Sequence, residues 1–489
     1  MRKLLCAVLL LGPALPAVAQ RAAGTTLSVD EAVDLAKKNN PGYQIARNNR
    51  TRAELALRSA FGAMLPQAST NVGASYRQGK PQFFSGVAFG ATSDVLSSSW
   101  GLNFSASVSA RSLASVRSAR AALDGSDASL RDTENALRNT VVQQYHFARQ
   151  MQAQAVLQDS LVSSTQLQLD LAKAKEGVGS ATSLDVKRAE VARGQQEVNA
   201  LRAHNTADVE LLRLYQFVGV PMEGAVTLNS SPPVTEPAFD VKQLIATART
   251  ENPALRARRS SVTQAESDLR GARGDYLPSV SLSASLGGFT QQYKDNNYLV
   301  NQAANSAASS RASCYTTDSL RRGAGMSSIA AQCSGIVFTP AAAQALRDQN
   351  NTFPFNFSSN PYNLSLGVSL PLFDGFGREQ RVQNQTATRN ESQLQVRQYE
   401  LQLATDITAA YGTLIADYRT VKLLENNTQA ARDALRLAEE RYRVGLNSLV
   451  DLQQARSDYE TAQANLINAS FEFHRAFSAL ETAVGRPLR

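Results

Sequence analysis

Apolar residues recur at helical spacing along most of the chain, and twice a Leu-Pro step changes that period abruptly. After Leu277-Pro278, Val280, Leu282, Ala284 and Leu286 alternate with Ser279, Ser281, Ser283 and Ser285. A 3.6-residue period has become a two-residue period, so a helix runs into a strand with one apolar and one hydroxyl face. "MLPQASTNVGASY" at 64–76 repeats the event. Two further strands follow the same rule: Leu102, Phe104, Ala106 and Val108 oppose Asn103, Ser105, Ser107 and Ser109, and Leu364, Leu366, Val368 and Leu370 oppose Asn363, Ser365, Gly367 and Ser369. The predicted strands are 67–77, 100–110, 279–289 and 362–372.

The pattern is duplicated. Pro41 matches Pro253 and Pro66 matches Pro278 at an offset of 212, whereas Tyr145 matches Tyr411, Gly179 matches Gly445, Asp185 matches Asp451 and Gly219 matches Gly485 at an offset of 266. The second copy therefore carries an enlarged loop at about 290–361, and the chain divides into repeats 20–226 and 238–489 joined by a linker at 227–237. Each copy reads as a short helix stopping before a Pro, a second helix opened by that Pro, two strands, a very long helix and a return helix. The long helices, 113–176 and 376–443, have no Pro and would each span about 100 Å. In the last helix Leu452, Ala455, Tyr459, Ala462, Leu466, Ala469, Phe473, Ala476, Leu480 and Ala483 follow a 3,4 spacing. That is a narrow coiled-coil seam, which predicts a helix wetted on most sides, as in the wall of a tube.

Residues 1–19 read as a secretory signal, with Arg2 and Lys3 before an apolar run and Ala17-Val18-Ala19 as a cleavage site. No later segment has the length of apolar sequence that a membrane helix needs, so membrane insertion would be by strands. About ten residues per strand, alternating faces and flanking aromatics (Tyr76, Phe83, Phe84, Trp100, Phe289, Tyr293, Phe355, Tyr362) fit outer-membrane strands. Four strands cannot close a barrel, and open edges are not tolerated in lipid, so copies of the chain must associate. The formal charge of +8, of which Arg2 and Lys3 leave with the signal, is spread without a basic block, and nucleic acid is not an expected partner. Cys314 and Cys333 are expected to form a loop disulfide in an oxidising compartment, two free thiols being the alternative. The three histidines, His146, His204 and His474, are isolated on helices, and no nucleophile pairs with a base. Neither an enzyme nor a cofactor or metal site is expected.

The doubled NP…LP-strand units, "SLPLFDGFGR" at 369–378 and the paired motifs "VGSATSLDV" and "VGLNSLVDL" resemble the TolC family of outer-membrane efflux proteins over essentially the whole length after the signal. The resemblance implies a mainly α fold with transmembrane β: a homotrimer, four strands per chain, sharing a twelve-stranded outer-membrane barrel set on a long periplasmic α-helical barrel. It implies an outer-membrane channel of a tripartite efflux or type I secretion system, a passive conduit docking a periplasmic adaptor (membrane fusion) protein and an inner-membrane pump of RND, ABC or MFS type. The alternative from another class is a structural coiled-coil envelope protein without a pore. By motif, the family's periplasmic entrance gate falls on Asp451 and Tyr442, with Gln454 where a second acidic residue is usual and Asn447 where a basic link residue is usual. Asp185 is the link's acidic partner. The adaptor-contact tips fall on Val178, Gly179, Ser183, Leu184, Val444, Gly445, Ser448 and Leu449. Both aspartates also read as capping-box residues, from Thr182 to Asp185 and from Ser448 to Asp451, and the two roles are compatible.

Overall fold

The computed structural model describes residues 26–80, 82–85, 87–89, 93–221, 226–229 and 233–488; the expected signal segment lies outside them. The chain is mostly helical with antiparallel sheet. In order the elements are β1 (Thr26–Leu27), α1 (Val29–Asn39), α2 (Pro41–Gly62), β2 (Gln67–Arg77), β3 (Gln82–Phe84), β4 (Val87–Phe89), β5 (Val95–Val108), α3 (Ala110–Gly177), α4 (Ser183–Val218), β6 (Thr227–Leu228), α5 (Val241–Glu251), α6 (Pro253–Gly274), β7 (Ser279–Tyr293), α7 (Tyr298–Gly323), α8 (Ala330–Ser334), α9 (Pro340–Asn350), β8 (Ser358–Ser369), α10 (Gly377–Arg443) and α11 (Leu449–Val484). Two compact units result: a helical unit from residues up to 57, 117–267 and 384 onwards, and a strand unit from 58–116 and 268–383.

In the strand unit β2, β5, β7 and β8 pair antiparallel in that order, leaving β2 and β8 as edges. The register aligns the faces anticipated from the alternation: Phe104 lies beside Ala284 and Ala284 beside Leu364, while Ser105 lies beside Ser283 and Ser283 beside Ser365. On the polar face Ser283 Oγ and Ser365 Oγ are 2.6 Å apart, and Asn103 Nδ2 donates to Asn71 Oδ1 at 3.1 Å. On the other face Leu364, Leu366 and Val368 stay at least two-thirds exposed. Pro361 falls where the β7–β8 register breaks, between the pairs Gly287–Asn360 and Ser285–Asn363, and such an irregularity tolerates a missing ladder donor. Of the flanking aromatics, the side chains of Phe83 and Phe84 lie outside the described residues; Tyr76, Phe289, Phe355 and Tyr362 are exposed, and Tyr293 stacks on Tyr298 at 4.5 Å.

The enlarged loop differs from expectation, since it holds α7, α8 and α9. Alanine-rich sequence has high helix propensity, but α7 buries almost nothing apolar, so it leaves no periodic signal. The segment is tied together by the Cys314–Cys333 disulfide and by Asp318, fully buried, which accepts from the Ile329 N–H (2.6 Å) and the Ser328 hydroxyl (2.9 Å).

The helical unit has two related cores. In the first, Ala32 and Ala36 of α1 pack on Leu137 and Val141 of α3 and on Leu211, Leu214 and Val218 of α4. In the second, Leu244 and Ala248 of α5 pack on Leu403 and Ile407 of α10 and on Phe477, Leu480 and Val484 of α11. These are the same positions displaced by 212 or 266. The Asn-Pro steps join them in a way the sequence did not suggest. Asn40 accepts from the Tyr43 N–H at the start of α2 and donates to the Phe217 carbonyl at the end of α4. Asn252 does the same for Leu255 and Ala483. One carboxamide thus satisfies an orphan donor of one helix and an orphan acceptor of another. Gly219 and Gly485 close α4 and α11 with φ of 82° and 91°. A Cβ at Gly219 would meet the Asn39 carbonyl oxygen at 2.7 Å, so glycine is required twice over. β1 pairs parallel with β6, bringing the start of the linker back to the start of the first repeat.

The four longest helices contact one another in the order α4, α3, α11, α10. Gln196 bonds Gln158 between α4 and α3; Gln150 and Gln154 donate to Asn468 between α3 and α11; Thr428 donates to the Ala462 carbonyl between α10 and α11. The seam anticipated on α11 is present, with Leu452, Ala469, Phe473 and Leu480 buried. It is not the only buried face, because Arg456, Phe471, His474 and Ser478 are buried as well. Having a neighbour on each side widens the covered arc. His146 and His474, which look isolated in sequence, stack across this second face at 5.1 Å. His204 is exposed, 2.9 Å from Asp159.

Candidate entrance site at the helical hairpin tips

Each long helix ends in a turn built the same way. Gly179 (φ 74°) and Gly445 (φ 80°) take the left-handed conformation that a Cβ disfavours. Their amides bond to the carbonyls of Glu176 and Tyr442, and the next amides, of Ser180 and Leu446, bond to those of Lys175 and Arg441. The turn therefore satisfies carbonyls left over by the helix ending above it.

The return helices begin with full capping boxes. The Thr182 hydroxyl accepts from the Asp185 N–H, and the Asp185 carboxylate accepts from the Thr182 N–H (3.0 Å) and hydroxyl (2.7 Å). Ser448 and Asp451 repeat this with distances of 3.0 and 2.8 Å. The Thr182 hydroxyl bonded to it holds the Asp185 carboxyl below the ordinary carboxylate range. With the folded value lowered, the cap contributes above the ordinary range and is lost as pH falls through the lowered value.

Among the other expected residues, Tyr442 is buried with Ala438, Leu449 and Leu452, and Leu171 of α3 packs against that cluster. Burial, and secondarily the charge of Asp185, pushes the Tyr442 phenol above its usual range. Asn447 is half-buried, and Gln454 donates to Asp458 at 2.8 Å along its own helix. Val178, Leu184 and Val444 are exposed, as are Gly179, Ser183, Gly445 and Ser448. Leu449, 8% exposed, is turned into the cluster instead, and the exposed apolar positions of its turn are Val444, Leu446 and Val450. Two basic residues at the site carry no motif and were missed. Lys175 donates to the Tyr442 carbonyl at 2.7 Å and stands 3.8 Å from that ring's centroid. Arg456, 6% exposed, donates to Ser164 Oγ at 2.6 Å and lies 3.9 Å from Glu439. The available signal was the basic residue four positions before each turn glycine, Lys175 and Arg441.

Residues 339–486 match the family described as outer membrane efflux protein. The chain is 23% identical over 378 residues to nodulation protein T of Rhizobium leguminosarum bv. trifolii, covering 76% of this chain and 67% of that protein. The matched segment, 339–486, is thus similar to outer membrane efflux proteins. A second relative, outer membrane efflux protein BepC of Brucella suis biovar 1 (strain 1330), is 22% identical over 364 residues, 73% of this chain and 64% of that one. The chain thus spans about two-thirds of the length of these relatives. The fold is similar to that of the outer membrane protein VceC from Vibrio cholerae, with a TM-score of 0.66 and 16% identity over 94% of this chain and 97% of that one. In this chain the repeated capping boxes and left-handed glycines occupy equivalent places in both hairpins, whereas the Lys175 contact occurs in one direction only.

Proposed function

We propose that this chain is the outer-membrane channel of a tripartite efflux or type I secretion system, a passive homotrimeric conduit. Four strands from each copy close a shared barrel in the outer membrane, and the long helices form a tube in the periplasm. The two repeats, 20–226 and 238–489, with the linker at 227–237, are its building units. The observation carrying this reading is a four-stranded sheet with one apolar face, one hydroxyl face and two open edges. Lipid admits no open edge, so β8 of one copy must meet β2 of the next. The helices support the same arrangement. On α4, Leu184, Val191, Val198 and Leu212 are exposed at heptad-related spacing, as are Leu394 and Leu401 on α10. These seams lie on the outermost helices of the row, where a neighbouring copy would cover them. The exposed apolar turn residues are the docking points for a periplasmic adaptor, through which the tube meets an inner-membrane pump. The polar helix faces and the serine face line water, and no catalytic chemistry is required.

The experiment is the protein-only mass of the detergent-solubilised particle, from light scattering corrected for bound detergent. About three chains are expected, because four strands per copy cannot close a barrel alone. A stable monomer would sink the shared barrel. Asp451 gives a finer test. Asp451→Asn is expected to lower cation preference and weaken block by multivalent cations, while Ser448→Ala, which loses the cap at a cost of about 1 kcal/mol but keeps the charge, should leave selectivity unchanged. Unaltered ion selectivity in Asp451→Asn would limit that aspartate to capping.

A further inference from the structure

We propose that Lys175 is a positioning residue that clasps the two hairpin tips together and holds the entrance end of the helical unit in its narrow state. The inference rests on the conduit reading and assigns its gate a residue outside the expected set. The motif-based expectation places a basic link at position 447, which is Asn447, and puts Asp185 opposite it. Here the Asp185 carboxylate is engaged by Thr182 in its own turn, so that pair does not form. The positive charge comes from the other hairpin. Lys175, in the last turn of α3, reaches the Tyr442 carbonyl in the last turn of α10.

The position suits an ammonium ion. The C-terminal ends of α3 and α10 both carry the negative end of a helix dipole, and the Tyr442 carbonyl, which already accepts from the Gly445 amide, has a second lone pair for the ammonium, so one cation there serves two helices. The Tyr442 ring face adds a third attraction to the same charge. Tyr442 is 7% exposed, so its position is set by Ala438, Leu449 and Leu452, and pulling on its backbone moves the whole turn. Arg441, the repeat counterpart of Lys175, is exposed, so the clasp crosses between hairpins in one direction.

A second tie lies deeper. Arg456 of α11 donates to Ser164 of α3 from a nearly enclosed position. Lys175 is half-exposed and competes with water, whereas Arg456 does not. Separation of the tips would therefore release Lys175 first and turn about the Arg456 contact.

The test is single-channel recording of the full-length trimer in planar bilayers, comparing the wild-type protein with Lys175→Gln and Lys175→Arg. Losing a hydrogen bond of the charged class should raise the fraction of time open about tenfold in Lys175→Gln, with Lys175→Arg returning towards wild type. Equal open fractions in wild type and Lys175→Gln, whether both conduct or both are silent, would overturn the clasp. A lowered unfolding temperature with unchanged conductance would reduce Lys175 to a helix cap and overturn it as well. Failure of the conduit reading itself is seen separately, as a monomeric mass.

Discussion

Leu364→Arg is expected to prevent assembly in the outer membrane, while Ser365→Arg, one residue away, assembles and narrows the pore. Leu364 lies near the middle of β8, 67% exposed, in a cross-strand row with Ala284 and Phe104. An arginine facing lipid at the midplane of a barrel costs about 2–4 kcal/mol. A trimer repeats that cost in each copy, which is comparable to the whole stability of a typical domain. Ser365 stands on the opposite face, 2.6 Å from the Ser283 hydroxyl. A charge there meets water under the proposed arrangement. Membrane fractionation with a heat-modifiability gel reads assembly, and conductance reads the lumen. Assembly of Leu364→Arg with failure of Ser365→Arg would mean that the two faces are assigned the wrong way round.

Phe473→Ala is expected to destabilise the helical unit by about 3–5 kcal/mol, the range for emptying a buried aromatic site. Phe473 is 1% exposed in the second core, edge-on to His474 at 5.4 Å and 6.3 Å from Tyr418. Its counterpart in the first repeat is the much smaller Ala207, 6% exposed. The second cannot simply relax into the packing of the first, because Leu414 already stands where the first core has Ala148. Phe473→Leu, which restores most of the volume, should recover most of the loss. Thermal unfolding followed by circular dichroism at 222 nm measures both. A shift corresponding to less than about 1 kcal/mol would show that α10 and α11 close over the cavity.

Much of this architecture is legible in one dimension because its signals are local. The Leu-Pro steps, the alternation of Leu with Ser and the absence of Pro from the long helices each report on backbone within a few residues, and β2, β7, α3 and α10 follow. The turns are legible for the same reason: Gly179, Gly445 and both capping boxes are defined by contacts between residues at most five apart. What escaped was either almost wholly exposed or paired over long separations. Helix α7 has no apolar period because it packs against little, and the Asn40, Asn252 and His146–His474 contacts join elements more than 170 residues apart.

By itself the sequence determined the duplicated order of elements, the two-faced strands and the turn chemistry, since periodicity and capping depend on near neighbours. Only the tertiary structure decided the strand order, with β5 beside β7, and the sequence of contacts from α4 through α3 and α11 to α10. It also turned Leu449 inward and brought Lys175 to Tyr442. These depend on which faces meet across long separations, and a basic residue four positions before a glycine, Lys175 or Arg441, looks the same in both repeats until the opposing helix is in place.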